Sequence, residues 1–242
     1  MQNFFVEPSQ IRGNKIFMEG KDVNHIKNVL RMKPGEDIRI TDGTGSLYLC
    51  CIEKYENGGA FLDVIKEISA DTELPSRIFL FQGLPKGDKM EWIVQKAVEL
   101  GASNIVPYLS KNCVSRPDKT DKKVERWRKI AAEAAKQCGR GVLPTVGAVI
   151  PVGQAIAQAA QSETALFLYE NERQTGLRDA LAAGVGKDVS LLVGPEGGFA
   201  PEEAEAARQA GLKSVSLGTR ILRCETAPVA ALAAILFAGG NM

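Results

Sequence analysis

The sequence predicts an α/β fold in two parts: a small β-barrel over residues 1–70 and a parallel-sheet α/β domain over residues 77–242. Two patterns predict it. Before residue 70, short β-rich stretches alternate with glycine-containing turns. After residue 76, continuous apolar strands alternate with helical stretches, the rhythm of a parallel sheet covered on both faces. Asp71–Ser76, with Pro75, is a polar link between the two.

In the first part, Asn3–Val6, Lys15–Phe17, Ile38–Thr41, Ser46–Tyr55 and Ala60–Ile68 read as strands. Asp42-Gly43-Thr44-Gly45 and Asn57-Gly58-Gly59 suit hairpins, because glycine reaches positive φ without a Cβ clash. One helix, about Asp22–Met32, interrupts the strands.

In the second part, Arg77–Gly83 is a continuous apolar strand, and Lys89–Leu100 a helix with Met90, Ile93, Val94 and Ala97 on one face. Asn104–Ser110 reads as a strand and Lys119–Cys138 as a long helix. Ala165–Tyr169, Val189–Gly194 and Ser214–Gly218 are buried-type strands, followed by helices at Thr175–Ala183, Pro201–Ala210 and Ala227–Ala238. Ligands of such sheets bind beyond the carboxyl ends of the strands. Functional residues are therefore expected just after Tyr169, Gly194 and Gly218. The last helix is apolar almost all round, with Val229, Leu232, Ile235, Leu236 and Phe237 spread over more than one side. That predicts burial on several faces and a partner subunit, or else a central helix of a monomer.

Composition narrows the chemistry. The chain has 242 residues, 45% of them apolar and 24% charged, with 30 Lys plus Arg against 29 Asp plus Glu. Residues 111–140 nevertheless hold ten basic and four acidic side chains, the form a polyanion-binding patch takes in a neutral protein. On the 119–138 helix, Val124, Trp127, Ala131, Ala134 and Cys138 make the buried stripe. Lys122, Arg126, Lys129, Glu133, Lys136 and Arg140 make the opposite one, which fits RNA contact and a solvated face equally. Five cysteines without CxxC spacing read as reduced thiols of a cytoplasmic protein, and a single histidine, His25, excludes a multi-His metal site. The longest apolar run, 227–240, is shorter than the ~20 residues a membrane helix needs. Trp92 and Trp127 are expected in the core.

Two loops carry the chemistry. Leu192-Val193-Gly194-Pro195-Glu196-Gly197-Gly198-Phe199 joins a strand to a helix; Pro201 suits that helix's first turn, and Glu202 and Glu203 complement its dipole. The loop lacks the Lys-Ser/Thr pair of a phosphate loop and is not Gly-x-Gly-x-x-Gly. Alone, it fits a ligand-approaching loop and a plain tight turn equally. Leu217-Gly218-Thr219-Arg220-Ile221-Leu222-Arg223-Cys224-Glu225-Thr226 is the second, with Thr226 placed as an N-cap and two arginines at the ligand edge of the sheet.

Together these loops resemble the RsmE family of 16S rRNA methyltransferases, within the SPOUT superfamily. The resemblance extends to Lys86-Gly87-Asp88-Lys89-Met90-Glu91, to Lys96-Ala97-Val98-Glu99-Leu100-Gly101, and to His25 with Val29-Leu30-Arg31 and Asp42-Gly43, so it covers essentially the whole chain. It implies a PUA-like RNA-binding barrel, a SPOUT domain with a trefoil knot, and a homodimer that methylates N3 of a uridine in 16S rRNA of the small ribosomal subunit, using S-adenosylmethionine and no metal or membrane. Cys224 departs from the pattern, where Thr or Ser is expected.

On that resemblance, Leu168, Tyr169, Gly194, Pro195, Glu196, Gly197, Gly198, Leu217, Gly218, Ile221, Leu222 and Arg223 are expected to hold the cofactor. Uridine N3–H is a poor nucleophile until its proton leaves, and the charge then spreads onto O2 and O4. An arginine beside those oxygens would stabilise it. Arg223 is the first candidate and Arg220 the second; Glu196 either takes the proton or braces its loop, with bracing preferred. RNA contacts are expected from Arg12, His25, Arg31, Lys86, Lys89, Lys122, Arg126, Lys129, Lys136 and Arg140. A catalytically silent rRNA-binding or assembly factor, and a methyltransferase of another RNA, fit the same residues.

Overall fold

The computed structural model describes residues 3–68, 72–114 and 120–242. It divides into two compact units, Met1–Glu73 with Ala135–Leu143, and Leu74–Ala134 with Pro144–Met242.

The first unit holds β1 (Asn3–Phe5), β2 (Ile11–Arg12), β3 (Lys15–Met18), α1 (Lys21–Asn24), β4 (Asp37–Thr41), β5 (Leu47–Glu56) and β6 (Gly59–Ile68). They form one sheet in the order β1-β4-β5-β6-β3-β2, antiparallel except for the β1–β4 pair. Register shifts between β5 and β6 at Leu49/Cys50 and Ile52/Lys54 help the sheet bend. It curls around Phe4, Ile16, Met18, Ile26, Ile38, Ile40, Ile52 and Leu62. The edge strands β1 and β2 are three and two residues long and do not pair with each other, so the barrel is an open half-barrel.

The helix expected over Asp22–Met32 is shorter and wider. After Asn24 the chain makes a π-type turn, His25–Val29, in which the Leu30 N–H donates to the His25 carbonyl at 2.9 Å. It leaves that turn at Arg31 with φ 56°. The widened turn keeps Val23 and Ile26 in the core and Val29 and Leu30 exposed.

The second unit holds β7 (Arg77–Gly83), α2 (Lys89–Glu99), β8 (Ala102–Leu109), α3 (Thr120–Cys138, whose last four residues group with the first unit), β9 (Thr145–Val146), β10 (Ile150–Pro151), α4 (Val152–Ala159), β11 (Thr164–Leu168), α5 (Leu177–Ala180), β12 (Asp188–Val193), α6 (Pro201–Gln209), β13 (Lys213–Val215) and α7 (Thr226–Ala238). The sheet is all parallel, in the order β10-β8-β7-β12-β11-β13, with β9 beside β8. Phe81, Tyr108, Phe167 and Leu192 pack against Ala155, Ile156 and Ala159 of α4 and Ala204 and Ala207 of α6. The α4 stripe has no counterpart in the sequence reading. Helix α7 packs against α2, α5 and β12 and buries Leu232, Ile235 and Leu236, each worth roughly 1.5–3 kcal/mol. Among the described residues no helix is long and apolar enough to cross a membrane.

Three expectations change. Trp127 is buried, but Trp92 is 42% exposed, because the buried stripe of α2 runs through Met90, Ile93, Val94 and Ala97 and leaves it to one side. Lys136 is 9% exposed, and its Nζ meets the Asp22 carboxylate at 2.9 and 3.0 Å. Arg140 lies past the end of α3, is 4% exposed, and pairs with Glu73 at 2.7 Å. Both are buried ion pairs rather than an exposed RNA stripe, since a buried charge must be matched by a partner. Lys122, Arg126 and Lys129 are exposed, with Arg126 held by Glu91 at 2.7 Å.

Candidate active site

The carboxyl ends of β11, β12 and β13 open into one cavity of about 680 Å³, lined by Leu168–Glu170, Val193–Gly198 and Val215–Cys224, with Lys89, Arg173 and Ala227. That volume lies within the roughly 300–1,000 Å³ of small-molecule sites.

The 194–198 loop is pinned by side chains from β7, from β8 and from the segment that follows β8. The buried Tyr108 hydroxyl donates to the Val193 carbonyl at 2.9 Å, and Gln82 Nε2 donates to the Gly194 carbonyl at 3.4 Å. Gly83 lets Pro195 come close: a Cβ there would stand 2.6 Å from the Pro195 nitrogen. Asn112 Nδ2 donates to the Gly197 carbonyl at 3.0 Å. Gly198 closes the turn, its N–H donating to Pro195 at 3.0 Å with φ +63°, a left-handed conformation that suits glycine. The following helix is capped by the buried Glu203 carboxylate, which accepts from the Lys111 N–H at 2.8 Å and the Ala200 N–H at 2.9 Å.

Glu196 is a brace. It accepts from the Lys86 N–H at 3.0 Å and from Lys89 Nζ at 2.9 Å. Partial burial pushes its pKa up, but the Lys89 and backbone hydrogen bonds outweigh that and hold it below the ordinary carboxylate value. Lys89 Nζ also reaches Glu225 at 3.3 Å, so one ammonium ties the first loop to the second. Lys89, expected at RNA phosphate, is occupied here. Lys86 is exposed. Cys224 Sγ–H donates to Glu225 at 3.2 Å; burial and that carboxylate push the thiol to about 12, so it stays protonated. Glu225 occupies the N-cap position of helix α7 without a side-chain cap hydrogen bond, and Thr226 is the first helical residue rather than the N-cap.

The second loop is more open. Ser216 Oγ donates to the Gly218 carbonyl at 3.0 Å and accepts from its N–H at 3.2 Å, and Arg223 O accepts from the Thr226 and Ala227 N–H groups. The backbone N–H groups of Leu217, Ile221 and Leu222 have no partner among the described residues, although these residues line the cavity. Unmatched backbone donors fit a ligand bearing acceptors, as an adenosine does. Arg220 and Arg223 are exposed at the cavity wall, with no carboxylate of the described residues in salt-bridge range. The structure thus brings together all twelve residues expected to hold the cofactor, and both arginines. Sequence reasoning missed Glu170 and Arg173, which follow β11 as the carboxyl-end rule would have indicated. Arg173 Nη1 donates to the Glu170 carbonyl at 2.7 Å.

A family model described as RNA methyltransferase domain matches residues 72–236, and one described as RNA methyltransferase PUA domain matches residues 19–65. The ribosomal RNA small subunit methyltransferase E of Bacillus subtilis is 36% identical over 98% of this chain and 96% of its own. The protein of the same name from Synechocystis is 33% identical, over 95% and 75%. The chain belongs to the ribosomal RNA small subunit methyltransferase E family. A crystal structure of the family member from Neisseria gonorrhoeae bound to S-adenosyl methionine superposes with a TM-score of 0.88, at 35% identity over 98% of this chain and 97% of that one. A putative methyltransferase from Legionella pneumophila, in complex with the same cofactor, gives 0.85 at 29% identity over 98% and 97%. Among the described residues no cluster of His, Cys, Asp or Glu could hold a metal ion.

Proposed function

We propose that this chain transfers the methyl group of S-adenosylmethionine to N3 of a uridine in 16S rRNA of the small ribosomal subunit, in the cytoplasm. The observation that carries the reading is the pair of glycine-bearing loops walling one cavity, with two arginines beside it that have no carboxylate partner among the described residues. The family relation supports both cofactor and substrate. The cofactor, when bound, supplies an electrophilic methyl on a sulfonium. Backbone N–H groups of Leu217, Ile221 and Leu222 would hold its adenine and ribose, with Gly194, Pro195, Gly197, Gly198 and Gly218 lining the same cavity. Leu168 and Tyr169 line the same cavity. Arg223, with Arg220 beside it, stabilises charge that develops on uridine O2 and O4 as N3 loses its proton. Glu196 has its lone pairs engaged by Lys89 and Lys86, which favours bracing over proton removal.

The same reading includes RNA contacts from Lys86, Lys122, Arg126 and Lys129, and from Arg12, His25 and Arg31 of the half-barrel. It includes the trefoil knot and a homodimer as well. Ile221 is 79% and Phe237 74% exposed, and with Trp92 they leave apolar surface on the second unit that a second copy would cover. Light scattering should give twice the 26.1 kDa chain mass at micromolar concentration; the chain mass itself would refute the dimer. For the reaction, the test is transfer of labelled methyl to small-subunit particles that lack the modification. Label in a single N3-methyluridine of 16S rRNA is expected; no transfer, or label in another RNA, would overturn the reading.

A further inference from the structure

A second cavity, of about 280 Å³, lies wholly within the first unit, between the α1 helix with its π-type turn and the β5–β6 hairpin. Its lining is polar: Asn24, Lys27 and Asn28 on one side, Tyr55, Asn57 and the Gly58–Gly59 backbone on the other. Two features of local backbone build it. The wide turn after Asn24 sets Lys27 and Asn28 on the exposed side while Ile26 stays in the core. The hairpin turns through Asn57 and Gly58, both at positive φ, which brings its tip beside Tyr55.

The donor and acceptor set is specific. Asn28 Nδ2 donates to Asn24 Oδ1, which leaves the Asn24 amide N–H₂ and the Asn28 carbonyl oxygen without a partner among the described residues. One spare donor beside one spare acceptor is the pattern that reads the edge of a base. Lys27 Nζ sits 5.4 Å from the centre of the Tyr55 ring and has no carboxylate partner among the described residues. The Tyr55 hydroxyl donates to the Met32 carbonyl at 3.0 Å, which fixes the ring in place. The one carboxylate in the lining, Glu56, is neutralised by Lys54 at 2.6 Å. Lys21, Arg31 and Lys33 are exposed nearby in the chain. Amide edges, a fixed aromatic ring and an ammonium without a carboxylate partner among the described residues, in one small notch, match an unstacked nucleotide with its phosphate. The groove also falls entirely within the 19–65 match to the PUA family model.

We infer that this groove seats one single-stranded nucleotide of the RNA substrate, with Asn24 and Asn28 at the base edge and Lys27 at the phosphate. The inference rests on the proposed function and names a contact outside the methyl-transfer cavity. The test uses the full chain and small-subunit particles lacking the modification. Lys27→Ala with Asn28→Ala should weaken binding by on the order of tenfold or more and lower the salt slope by about one counterion. Lys27→Arg should restore the slope. S-adenosylmethionine affinity and turnover at saturating particles should stay at the wild-type level, which excludes a folding defect. Ultraviolet crosslinking should attach RNA to the peptides around 24–28 or 55–58. Unchanged affinity and slope in the double variant, or crosslinks confined to other peptides, would overturn the groove while leaving the methyltransferase reading standing. A wild type that neither binds nor methylates the particles would overturn both.

Discussion

Gly198→Ala asks whether the left-handed turn of the first loop is held for the cofactor. The magnitude follows from two features. A φ of +63° costs a non-glycine residue about 1–2 kcal/mol. The added Cβ would also stand 2.1 Å from Glu170 Oε1, so that side chain must turn aside, at about 0.5–1.5 kcal/mol if it leaves its rotamer. Together that is roughly 1.5–3.5 kcal/mol, or a loss of about 10- to 300-fold at roughly 1.4 kcal/mol per decade. Without ligand, the turn can relax by giving up the Gly198 to Pro195 hydrogen bond; binding then has to restore it, so the loss falls on affinity. Calorimetry of S-adenosylmethionine binding, beside thermal melts, separates the two. A melting temperature that drops while the Kd is unchanged would refute the reasoning, because the strain would then belong to the fold and not to the site.

Three further outcomes are expected. Lys89→Ala should weaken cofactor binding by about three- to tenfold, the scale of two partly exposed ion pairs, with partial rescue in Lys89→Arg; wild-type affinity in the alanine variant would remove Lys89 as the tie between the loops. Arg126→Ala with Lys129→Ala should weaken rRNA binding and flatten its salt slope without changing turnover at saturating RNA, and a slope equal to wild type would make this face of α3 merely solvated. Glu172 accepts N–H bonds from Gln174, Arg173 and Thr175 beside the cavity, and the Gln174 bond leads in lowering its pKa to about 2. Its folded value lies below its unfolded one. Its stabilisation is therefore complete above the ordinary 4.5 and is lost as pH falls towards 2. Wild-type melting temperature should fall faster over that window than that of Glu172→Gln; parallel curves would contradict the assignment.

The two loops that wall the cavity were legible because their pattern is local. Gly194 to Phe199 and Leu217 to Arg223 each follow an apolar strand, and the parallel sheet puts both at one edge. What was not legible depends on residues distant in the chain. The spacing of Lys136 matches an exposed stripe, yet Asp22, 114 residues away, draws it inward. Lys89 reads as a free cation until Glu196 and Glu225 are found around it. Helix α4 carries an apolar stripe at Val152, Ala155, Ile156 and Ala159, but Pro151 and Gly153 at its start obscure the helical signal. The π-type turn after Asn24 shifts the register of Lys27 and Asn28, and no 3.6-residue pattern announces such a shift.

The central claim is tested most directly by mass spectrometry of 16S rRNA from cells that lack this gene and carry back either the wild type or Arg223→Ala. The account predicts an N3-methyluridine absent from the deletion strain, restored by the wild-type gene, and restored far more slowly by Arg223→Ala, with single-turnover methylation down by on the order of a hundredfold. Full modification of the rRNA in the deletion strain, or a wild-type rate for Arg223→Ala, would contradict it.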